Sequence, residues 1–413
     1  MPKDQKTDIA ELDATDPLAA KRAEFDIPEG VIYLDGNSLG PLPKTVPAAM
    51  ARVVESEWRD LLIRGWNDAG WFTAPQRVGD RIGRLIGAPE GSVTVADNTS
   101  TNVFKCLSAA LAMRPDRKVI LSDEGNFPTD LYIAQGLIQG LDQAHELRLV
   151  KPGEVMKAID EDVAVVMLTE VDYRTGRRHD MKAITRRAHE VGALAFWDLA
   201  HSAGAFEVDL TGAGADFAVG CGYKYLNGGP GAPAFLYVRP ERQERVRPLL
   251  AGWMGHEAPF AFDVDYRPLE GVGRMRVGTP PVISLTALDA ALDVWDGVDM
   301  AEIRAKSVAL CDLFIAEVER QTAGHGLKLV SPRDGSERGS QVSFAHPEGY
   351  AAMQALIAKG VIGDFRAPDI MRFGFTPLYL SYAEVAEAAA IVGRIFNERL
   401  WDRSEFKTRA AVT

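Results

Sequence analysis

Three stretches of the chain each place a short apolar run before a polar loop and a helical pattern, and this repeated order constrains the fold most. The stretches are Val93 to Met113, Lys118 to Gly140 and Val163 to Val191. Strands that alternate with helices are typical of a parallel sheet with crossover helices. Two more apolar runs, Ala193 to Trp197 and Ala215 to Val219, extend the same sheet. An α/β fold with a mainly parallel sheet is therefore predicted.

The last third of the sequence has a different pattern. Amphipathic helical patterns cover Ser284 to Trp295 and Ile303 to Thr322, and a strand pattern covers Gln341 to Phe344. A smaller α+β domain is predicted there, and the Gly- and Pro-rich segment Gly271 to Pro281 is expected to link it to the sheet. The predicted division is a polar N-terminal tail at 1–24, a segment contributing to the small domain at 25–60, a large domain at 61–283 and the small domain at 284–413.

Composition excludes several classes of protein. The 413 residues carry a formal net charge of −12, and no basic run could follow a phosphate backbone, so nucleic-acid binding is not expected. The longest apolar runs, such as Val163 to Leu168, are far shorter than the roughly 20 residues of a membrane helix. Met1 to Lys21 lacks the pattern of a secretory signal, and the 3 scattered cysteines form no zinc or disulfide pattern. We expect a soluble cytoplasmic protein without a metal site.

One motif is misleading. Residues Gly36 to Gly40 match G-x-S-x-G, in which hydrolases place a serine nucleophile between a strand and a helix. Pro41 and Pro43 follow at once, and proline there is incompatible with a regular helix. We therefore expect a glycine-shaped loop rather than a nucleophilic Ser38. The glycine-rich phosphate loops of dinucleotide and nucleoside-triphosphate sites are also absent from the sequence.

Two charged residues follow consecutive predicted strands, where open α/β sheets bind their ligands. Asp198 ends one apolar run, and Lys224 lies just past the next, among glycine and apolar residues. An acid in that place can also be only a helix cap. Desolvation lowers the pKa of a lysine amine and makes it a usable nucleophile or base. A carboxylate for a pyridine nitrogen and an amine for an aldehyde are what pyridoxal phosphate requires.

The phosphate of such a cofactor needs hydrogen-bond donors. Asp97 to Asn102 supplies hydroxyls and backbone N–H groups where a strand turns into a helix. The same residues could form an ordinary helix cap without a ligand. The presence of Lys224 favours the phosphate site.

The chain closely resembles the kynureninase family, which belongs to the fold type I pyridoxal-phosphate enzymes related to the class V aminotransferases. The resemblance runs through most of the chain, and the Asp-x-x-His and Tyr-Lys-Tyr-Leu-Asn combination is its specific part. It rests on Tyr33 to Pro41, Asn126 to Asp130, Trp197 to Ser202, Gly220 to Asn227, Gly252 to His256 and Arg372 to Gly374. It implies a transferase-like fold with a large and a small domain, a pyridoxal 5'-phosphate cofactor and a homodimer with active sites at the interface.

The resemblance also implies the roles of individual residues. Lys224 would hold the cofactor aldehyde, Asp198 its pyridine nitrogen, and Tyr223 its phosphate while relaying a proton, for which its pKa would need lowering. Arg372 would bind the substrate α-carboxylate as a planar bidentate donor, and Trp66 and His256 would flank the aromatic ring of the substrate. The implied cofactor contacts are Thr99, Ser100, Phe127, Pro128, Thr129, Asp130, Thr169, Asp198, His201, Tyr223, Lys224, Trp253 and Thr279, with Trp253 and Thr279 acting across the dimer interface.

The implied activity is hydrolytic cleavage of the Cβ–Cγ bond of L-kynurenine to anthranilate and L-alanine, in tryptophan breakdown or NAD biosynthesis. Gly278-Thr279 stands where the animal enzymes resemble Ser-Asn, which favours L-kynurenine over its 3-hydroxy form. An aminotransferase is an alternative, since it shares the lysine, the aspartate and the arginine. A cysteine desulfurase is less favoured because Ser331 to Ala345 lacks the reactive cysteine that it needs.

Overall fold

The computed structural model describes residues 8–141 and 144–408. These residues form two compact units. The large unit comprises 45–173 and 178–293, and the small unit comprises 8–44, 174–177 and 294–408. The predicted division at residues 24, 60 and 283 stays a prediction, since compactness alone does not define a folding domain.

The strands, in chain order, are β1 Phe25–Asp26, β2 Ile32–Tyr33, β3 Leu42–Pro43, β4 Val93–Val95, β5 Val119–Asp123, β6 Glu146–Val150, β7 Val163–Thr169, β8 Leu194–Asp198, β9 Phe217–Gly220, β10 Phe235–Val238, β11 Lys328–Leu329, β12 Gln341–Ala345, β13 Val361–Ile362, β14 Asp364–Arg366 and β15 Ile370–Gly374.

The α-helices, in chain order, are α1 Ile9–Ala14, α2 Thr45–Arg52, α3 Gly65–Asp68, α4 Ala74–Leu85, α5 Thr99–Ala112, α6 Pro128–Leu141, α7 Val155–Ala158, α8 Met181–Glu190, α9 Leu210–Ala213, α10 Pro240–Gln243, α11 Val282–Ala291, α12 Met300–Gln321, α13 Gly349–Ile357 and α14 Tyr382–Asn397. A π-helical segment, Val53–Leu61, follows α2.

The sheet of the large unit has, within the described ranges, the strand order β4-β10-β9-β8-β7-β5-β6. Strands β6, β5, β7, β8 and β9 are parallel, which confirms the predicted α/β class. Strand β10 is antiparallel to both β9 and β4, because the turn before it reverses the chain. The edge strand β6 escaped prediction since none of its side chains is buried and its sequence, ELRLV, has no continuous apolar run.

Helix α5 packs on the sheet through an apolar face. Its residues Val103, Leu107 and Ala110 belong to one buried cluster with Val165 of β7 and Phe196 of β8. Burial of this cluster supplies most of the stabilisation that an α/β layer needs, at about 25 cal/mol per Å² of apolar surface. This packing of α5 on the sheet places the start of the helix at the carboxyl edge of the sheet.

The small unit contains an antiparallel sheet of strand order β11-β12-β15-β14 in the described residues. Residues from Asp8 onward, predicted as a polar tail, are folded onto this unit. Asp13 accepts hydrogen bonds from the backbone N–H groups of Tyr382 and Ala383 at the start of α14, and Asp16 forms a buried ion pair with Lys306 at 2.6 Å. Residues 1–7 of the predicted tail lie outside the described residues.

The position of the expected linking segment differs from the prediction, whereas the conformation of the G-x-S-x-G segment agrees with it. The expected linking segment, Gly271 to Pro281, lies within the large unit, and the chain passes to the small unit between Asp293 and Val294. The G-x-S-x-G segment forms the expected loop, which leads into β3 rather than into a helix.

No helix in the described ranges combines the length and the apolar character that crossing a bilayer requires.

Candidate active site

A tight turn after β9 positions Lys224. A side chain on Gly222 would place its Cβ 2.5 Å from the Pro233 carbonyl oxygen, so only glycine fits there. Asn227 adopts a left-handed conformation (φ 58°), and its backbone N–H donates to the Lys224 carbonyl at 2.9 Å. The Gly228 N–H donates to the Gly222 carbonyl at 2.9 Å and closes the turn. Lys224 is thereby held at the carboxyl edge of the sheet.

The Lys224 amine lies in a buried, largely aromatic environment. Its Nζ is 3.0 Å from Nε2 of His201, and both side chains are buried. A hydrogen bond joins the two side chains, and the tautomer of His201 decides which of them donates. The Nζ atom also lies 5.7 Å from the ring centre of Phe127 and 5.8 Å from that of Tyr223. The structure therefore brings these four predicted residues together.

Two buried carboxyl groups lie beside the lysine. Asp198 ends β8 in register with Thr169 of β7, and it accepts a hydrogen bond from the Ala200 N–H at 2.8 Å. Asp130 lies in the first turn of α6, and neither of its buried carboxyl oxygens has a hydrogen-bond partner among the described residues. Burial raises the pKa of both groups, and the charge of Asp198 raises that of Asp130 further, whereas Lys224 opposes both shifts.

Unpartnered carboxyl oxygens at full burial cost free energy unless a ligand satisfies them. A cationic ring nitrogen would supply the missing donor and would stabilise the charged form of the pair. Pyridoxal phosphate has such a nitrogen, together with an aldehyde that Lys224 can bind. The residues present therefore fit this cofactor.

Two helix N-termini meet near this cluster. Asn98 caps α5 by accepting the Thr101 N–H at 2.9 Å, and Thr99 and Ser100 form the first turn. The Ser100 hydroxyl lies 2.7 Å from that of Thr129 in the first turn of α6, which Pro128 begins. Backbone N–H groups and hydroxyls at helix N-termini suit a phosphate. Of the predicted cofactor contacts, Thr99, Ser100 and Thr129 are therefore brought together.

A cavity of about 570 Å³ adjoins this turn within the large unit. Asn98, Thr101, Tyr223, Thr279 and Arg276 are among the residues that line it. Arg276 was not predicted, and no carboxylate pairs with it in the described part of the chain. Burial lowers the pKa of its guanidinium, which an anion in the cavity would reverse. The signal that could have identified it is a pair of cations, Arg274 and Arg276, in a Gly- and Pro-rich segment, of which Arg274 pairs with Glu244.

The pKa of the Tyr223 phenol is shifted away from the direction that a proton relay would need. Burial raises its pKa, and Cys221 and Asp198 raise it further. The shift is therefore opposite to the lowering that a proton relay would need, because the groups around Tyr223 disfavour a phenolate. At neutral pH the phenol keeps its proton and donates hydrogen bonds.

Arg372 lies in a second charged cluster, in the small unit. It is on β15, directly across the ladder from Asp364 of β14. Its Nε donates to Asp364 Oδ1 at 2.7 Å, and a terminal nitrogen donates both to Asp364 Oδ2 and to the Ser38 hydroxyl, the latter at 2.7 Å. Arg372 and Asp364 are buried, so this is a desolvated bidentate pair rather than a surface ion pair.

The remaining predicted residues make contacts that do not involve Lys224. Trp66 lies in α3, a single helical turn, and packs edge-on against Trp71, with 5.8 Å between the ring centres. His256 accepts the Ala258 N–H at Nδ1, and its Nε2 lies 3.1 Å from the Asp265 carbonyl oxygen, so its own loop engages both ring nitrogens. Their roles around the substrate ring stay predictions. Trp253 and Thr279 are exposed.

Comparison with known proteins adds sequence and fold relationships. A family model described as the kynureninase C-terminal domain matches residues 303–392. A kynureninase of Pseudomonas fluorescens is 54% identical over 413 residues, covering 99% of both chains. A kynureninase of Burkholderia pseudomallei strain 1106a is 53% identical over 407 residues, covering 97% of this chain and 98% of the relative.

The solved structures share the fold at low sequence identity. The apo structure of a cysteine desulfurase from Thermococcus onnurineus superposes with a TM-score of 0.76 at 20% identity, covering 92% of this chain and 98% of that one. A mutant of the cystine C–S lyase C-DES, with glycine covalently linked to the PLP cofactor, superposes with a TM-score of 0.74 at 17% identity, covering 90% of this chain and 98% of that one. The transferase-like α/β fold is therefore confirmed. The identity to the bacterial relatives over nearly the whole length shows that this chain belongs to the kynureninase family.

Proposed function

We propose that this chain is a pyridoxal-phosphate-dependent hydrolase that cleaves L-kynurenine to anthranilate and L-alanine. The observation that carries the proposal is the buried cluster of Lys224, His201, Asp198 and Asp130 in a chain of the kynureninase family. Two carboxyl groups and one amine, all desolvated, meet the charge requirements of this cofactor.

The large unit would hold the cofactor. Asp198 and Asp130 would bind its ring nitrogen and Lys224 its aldehyde, while the start of α5 and Thr129 would bind its phosphate. When bound, the cofactor supplies a sink for the electrons released at the substrate α-carbon. Thr169, in register with Asp198, would flank the ring.

The protein residues would move two protons. Lys224 would remove the proton from the substrate α-carbon, and the 3.0 Å contact with His201 orients the amine for this task. Water would add to the γ-carbonyl, and Tyr223, which keeps its proton at neutral pH, would deliver that proton to Cβ when the Cβ–Cγ bond breaks and anthranilate leaves. The raised pKa keeps the phenol protonated but makes it a weaker acid, so Tyr223 would give up this proton only as negative charge develops at Cβ.

Arg372 would bind the substrate α-carboxylate. Asp364 fixes the plane of its guanidinium, and a planar donor can bind a carboxylate through two hydrogen bonds. Trp66 and His256 would flank the aromatic ring, and Gly278-Thr279 would favour L-kynurenine over the 3-hydroxy form.

The active form would be a cytoplasmic homodimer. Trp253 is 43% exposed and Thr279 is also exposed, as expected for residues that complete the phosphate site of a partner subunit. Exposed tryptophan is typical of interfaces.

A cysteine desulfurase is disfavoured by thiol chemistry. Cys106, Cys221 and Cys311 are buried, and burial raises the pKa of each thiol. Buried thiols with raised pKa values are poor nucleophiles. An aminotransferase remains the second candidate, since it would use the same lysine, aspartate and arginine with an added 2-oxo acid.

Anthranilate fluorescence tests the proposal. Pyridoxal-phosphate-loaded wild-type protein mixed with L-kynurenine should release anthranilate, and Lys224→Ala should lower turnover by about 1,000-fold or more because it removes nucleophile and base together. Lys44→Ala, which changes an exposed lysine, is the control and should retain activity. Amino-group transfer to a 2-oxo acid without anthranilate would instead establish the aminotransferase.

A further inference from the structure

Lys105 is a buried cation on α5 that the proposed reaction does not use. Its Nζ donates to Asp97 Oδ2 at 2.7 Å and to the Met275 carbonyl at 2.9 Å, and its side chain is fully buried. Burial lowers the pKa of the amine, and the charge of Asp97 opposes this shift. The contact with Asp97 is therefore what favours a charged amine in this position.

Asp97 lies in the turn between β4 and α5. It has a φ of 49°, a left-handed conformation that residues other than glycine rarely adopt. The Ala234 N–H donates to its carbonyl at 2.9 Å, and the next residue, Asn98, caps α5. Side chains of a helix tilt toward its N-terminus, which lets Lys105 reach back to this turn. The ion pair thus ties the Asp97 carboxyl group to the body of α5.

Both partners of Lys105 belong to segments that line the cavity of about 570 Å³. Asp97 lines it directly, and Met275 precedes Arg276, which also lines it. Among the described residues of the cavity wall, Asp97 is the only acid and Arg276 the only base. The Asp97 side chain is 30% exposed, so burial does not remove its charge from the site. A carboxylate at the start of α5 would repel a phosphate there unless a cation offset its charge.

We propose that Lys105 is a positioning residue of the phosphate site, which holds the Asp97 carboxylate in place and offsets its charge beside the start of α5. The inference rests on the proposed function, in which the start of α5 binds the cofactor phosphate. With Lys105 present, the pair is neutral, and the helix start offers the phosphate N–H donors and the positive end of its dipole. Without Lys105, an uncompensated carboxylate would act on the phosphate, which carries the negative charge of the cofactor.

Calorimetric titration of the cofactor-free protein with pyridoxal 5'-phosphate and with pyridoxal, which lacks the phosphate, tests the proposal. Lys105→Met should raise the Kd for pyridoxal 5'-phosphate by about tenfold or more and leave the Kd for pyridoxal nearly unchanged. The double variant Lys105→Met/Asp97→Asn keeps neither charge and should recover most of the lost affinity for pyridoxal 5'-phosphate.

Lys306→Met is the matched control. Lys306 is a buried lysine of the small unit that pairs with Asp16 at 2.6 Å and donates to the Pro377 carbonyl at 2.6 Å. Asp16 is 3% exposed, so removal of its partner should lower the Tm at least as much as Lys105→Met does. The preference of this control for pyridoxal 5'-phosphate over pyridoxal should remain that of the wild type.

The two ligands separate a role at the phosphate from a general loss of structure. Equal weakening of both ligands by Lys105→Met, or a double variant that binds as weakly as the single one, would overturn the inference. Equal affinity of the wild type for the two ligands would overturn both the inference and the proposed phosphate site. The expected pattern of Kd values without release of anthranilate from L-kynurenine would support the inference and overturn the proposed reaction.

Discussion

The large and the small unit each bury a cluster of charged residues, and the two clusters differ in how completely they satisfy themselves. In the large unit, Asp130 keeps two carboxyl oxygens without hydrogen-bond partners among the described residues, although Lys224 and Asp198 are close by. In the small unit, Asp364 satisfies Arg372 through two hydrogen bonds. Carboxyl oxygens without hydrogen-bond partners can bind a cationic group. An arginine that is already paired with a carboxylate can bind only a further anion.

The same contrast separates two kinds of binding. The large unit surrounds its cofactor site with groups whose pKa values are raised by burial, so the charged forms depend on what binds there. In the small unit, Arg372 and Arg366 hold the pKa of Asp364 below its ordinary value in spite of burial. The proposed chemistry therefore fits the first cluster, and the proposed orientation of the substrate fits the second.

After that of Lys224→Ala, the largest expected effect is that of Asp198→Asn. An ion pair at about 4 Å and an effective dielectric near 20 is worth roughly 4 kcal/mol, and the neutral amide loses it. We expect kcat to fall by about 100- to 1,000-fold while the fold is retained, as measured by anthranilate release and circular dichroism. An unchanged kcat would show that Asp130 alone provides the charge.

Compared with Asp198→Asn, Asp364→Asn is expected to lower kcat less and to lower the free energy of unfolding more. The amide cannot form a charged bidentate pair with Arg372, and it leaves a buried guanidinium without its counterion. Breaking such a pair costs about 3–5 kcal/mol. Denaturant unfolding should show a loss of this order, and KM for L-kynurenine should rise about tenfold or more with little change in kcat.

The matched control for that variant is Asp402→Asn. Asp402 forms an exposed ion pair with Arg399, and such pairs contribute little to stability. Equal losses of stability in the Asp364 and Asp402 variants would contradict the view that the small-unit cluster is a desolvated, oriented pair.

The smallest effect is expected for Ser38→Ala. The hydroxyl supports Arg372 and Asp364 but carries no charge, and a hydrogen bond to a charged group contributes about 1.5–3 kcal/mol at most. We expect KM to rise a few-fold, and kcat measured in the same assay to be unchanged. A loss of kcat as large as that of Lys224→Ala would instead revive the nucleophilic serine that the G-x-S-x-G pattern suggested.

The large-unit site could be predicted because its signals are local in sequence. Asp198 and Lys224 each follow an apolar strand, and carboxyl ends of parallel strands meet at one edge of a sheet. The cap at Asn98 is likewise a local pattern of small polar residues before a helix. Rules of this kind need no knowledge of the rest of the fold.

The small-unit site could not be completed from sequence, because its contacts depend on register. Asp364 meets Arg372 only because β14 and β15 pair in one particular antiparallel register. Ser38 reaches the pair from more than 300 residues away. The raised pKa of Tyr223 was missed for a related reason, since burial cannot be read from a residue and its sequence neighbours.

The most direct test of the account is borohydride reduction of the pyridoxal-phosphate-loaded protein, followed by digestion and mass spectrometry. Reduction fixes the cofactor to the amine that holds its aldehyde, so the phosphopyridoxyl mass should be found on the peptide that contains Lys224. The buried Lys105, which instead pairs with Asp97 at 2.7 Å, should be unmodified. A label on Lys105, or no label on Lys224 at full cofactor loading, would contradict the assignment of the large-unit cluster.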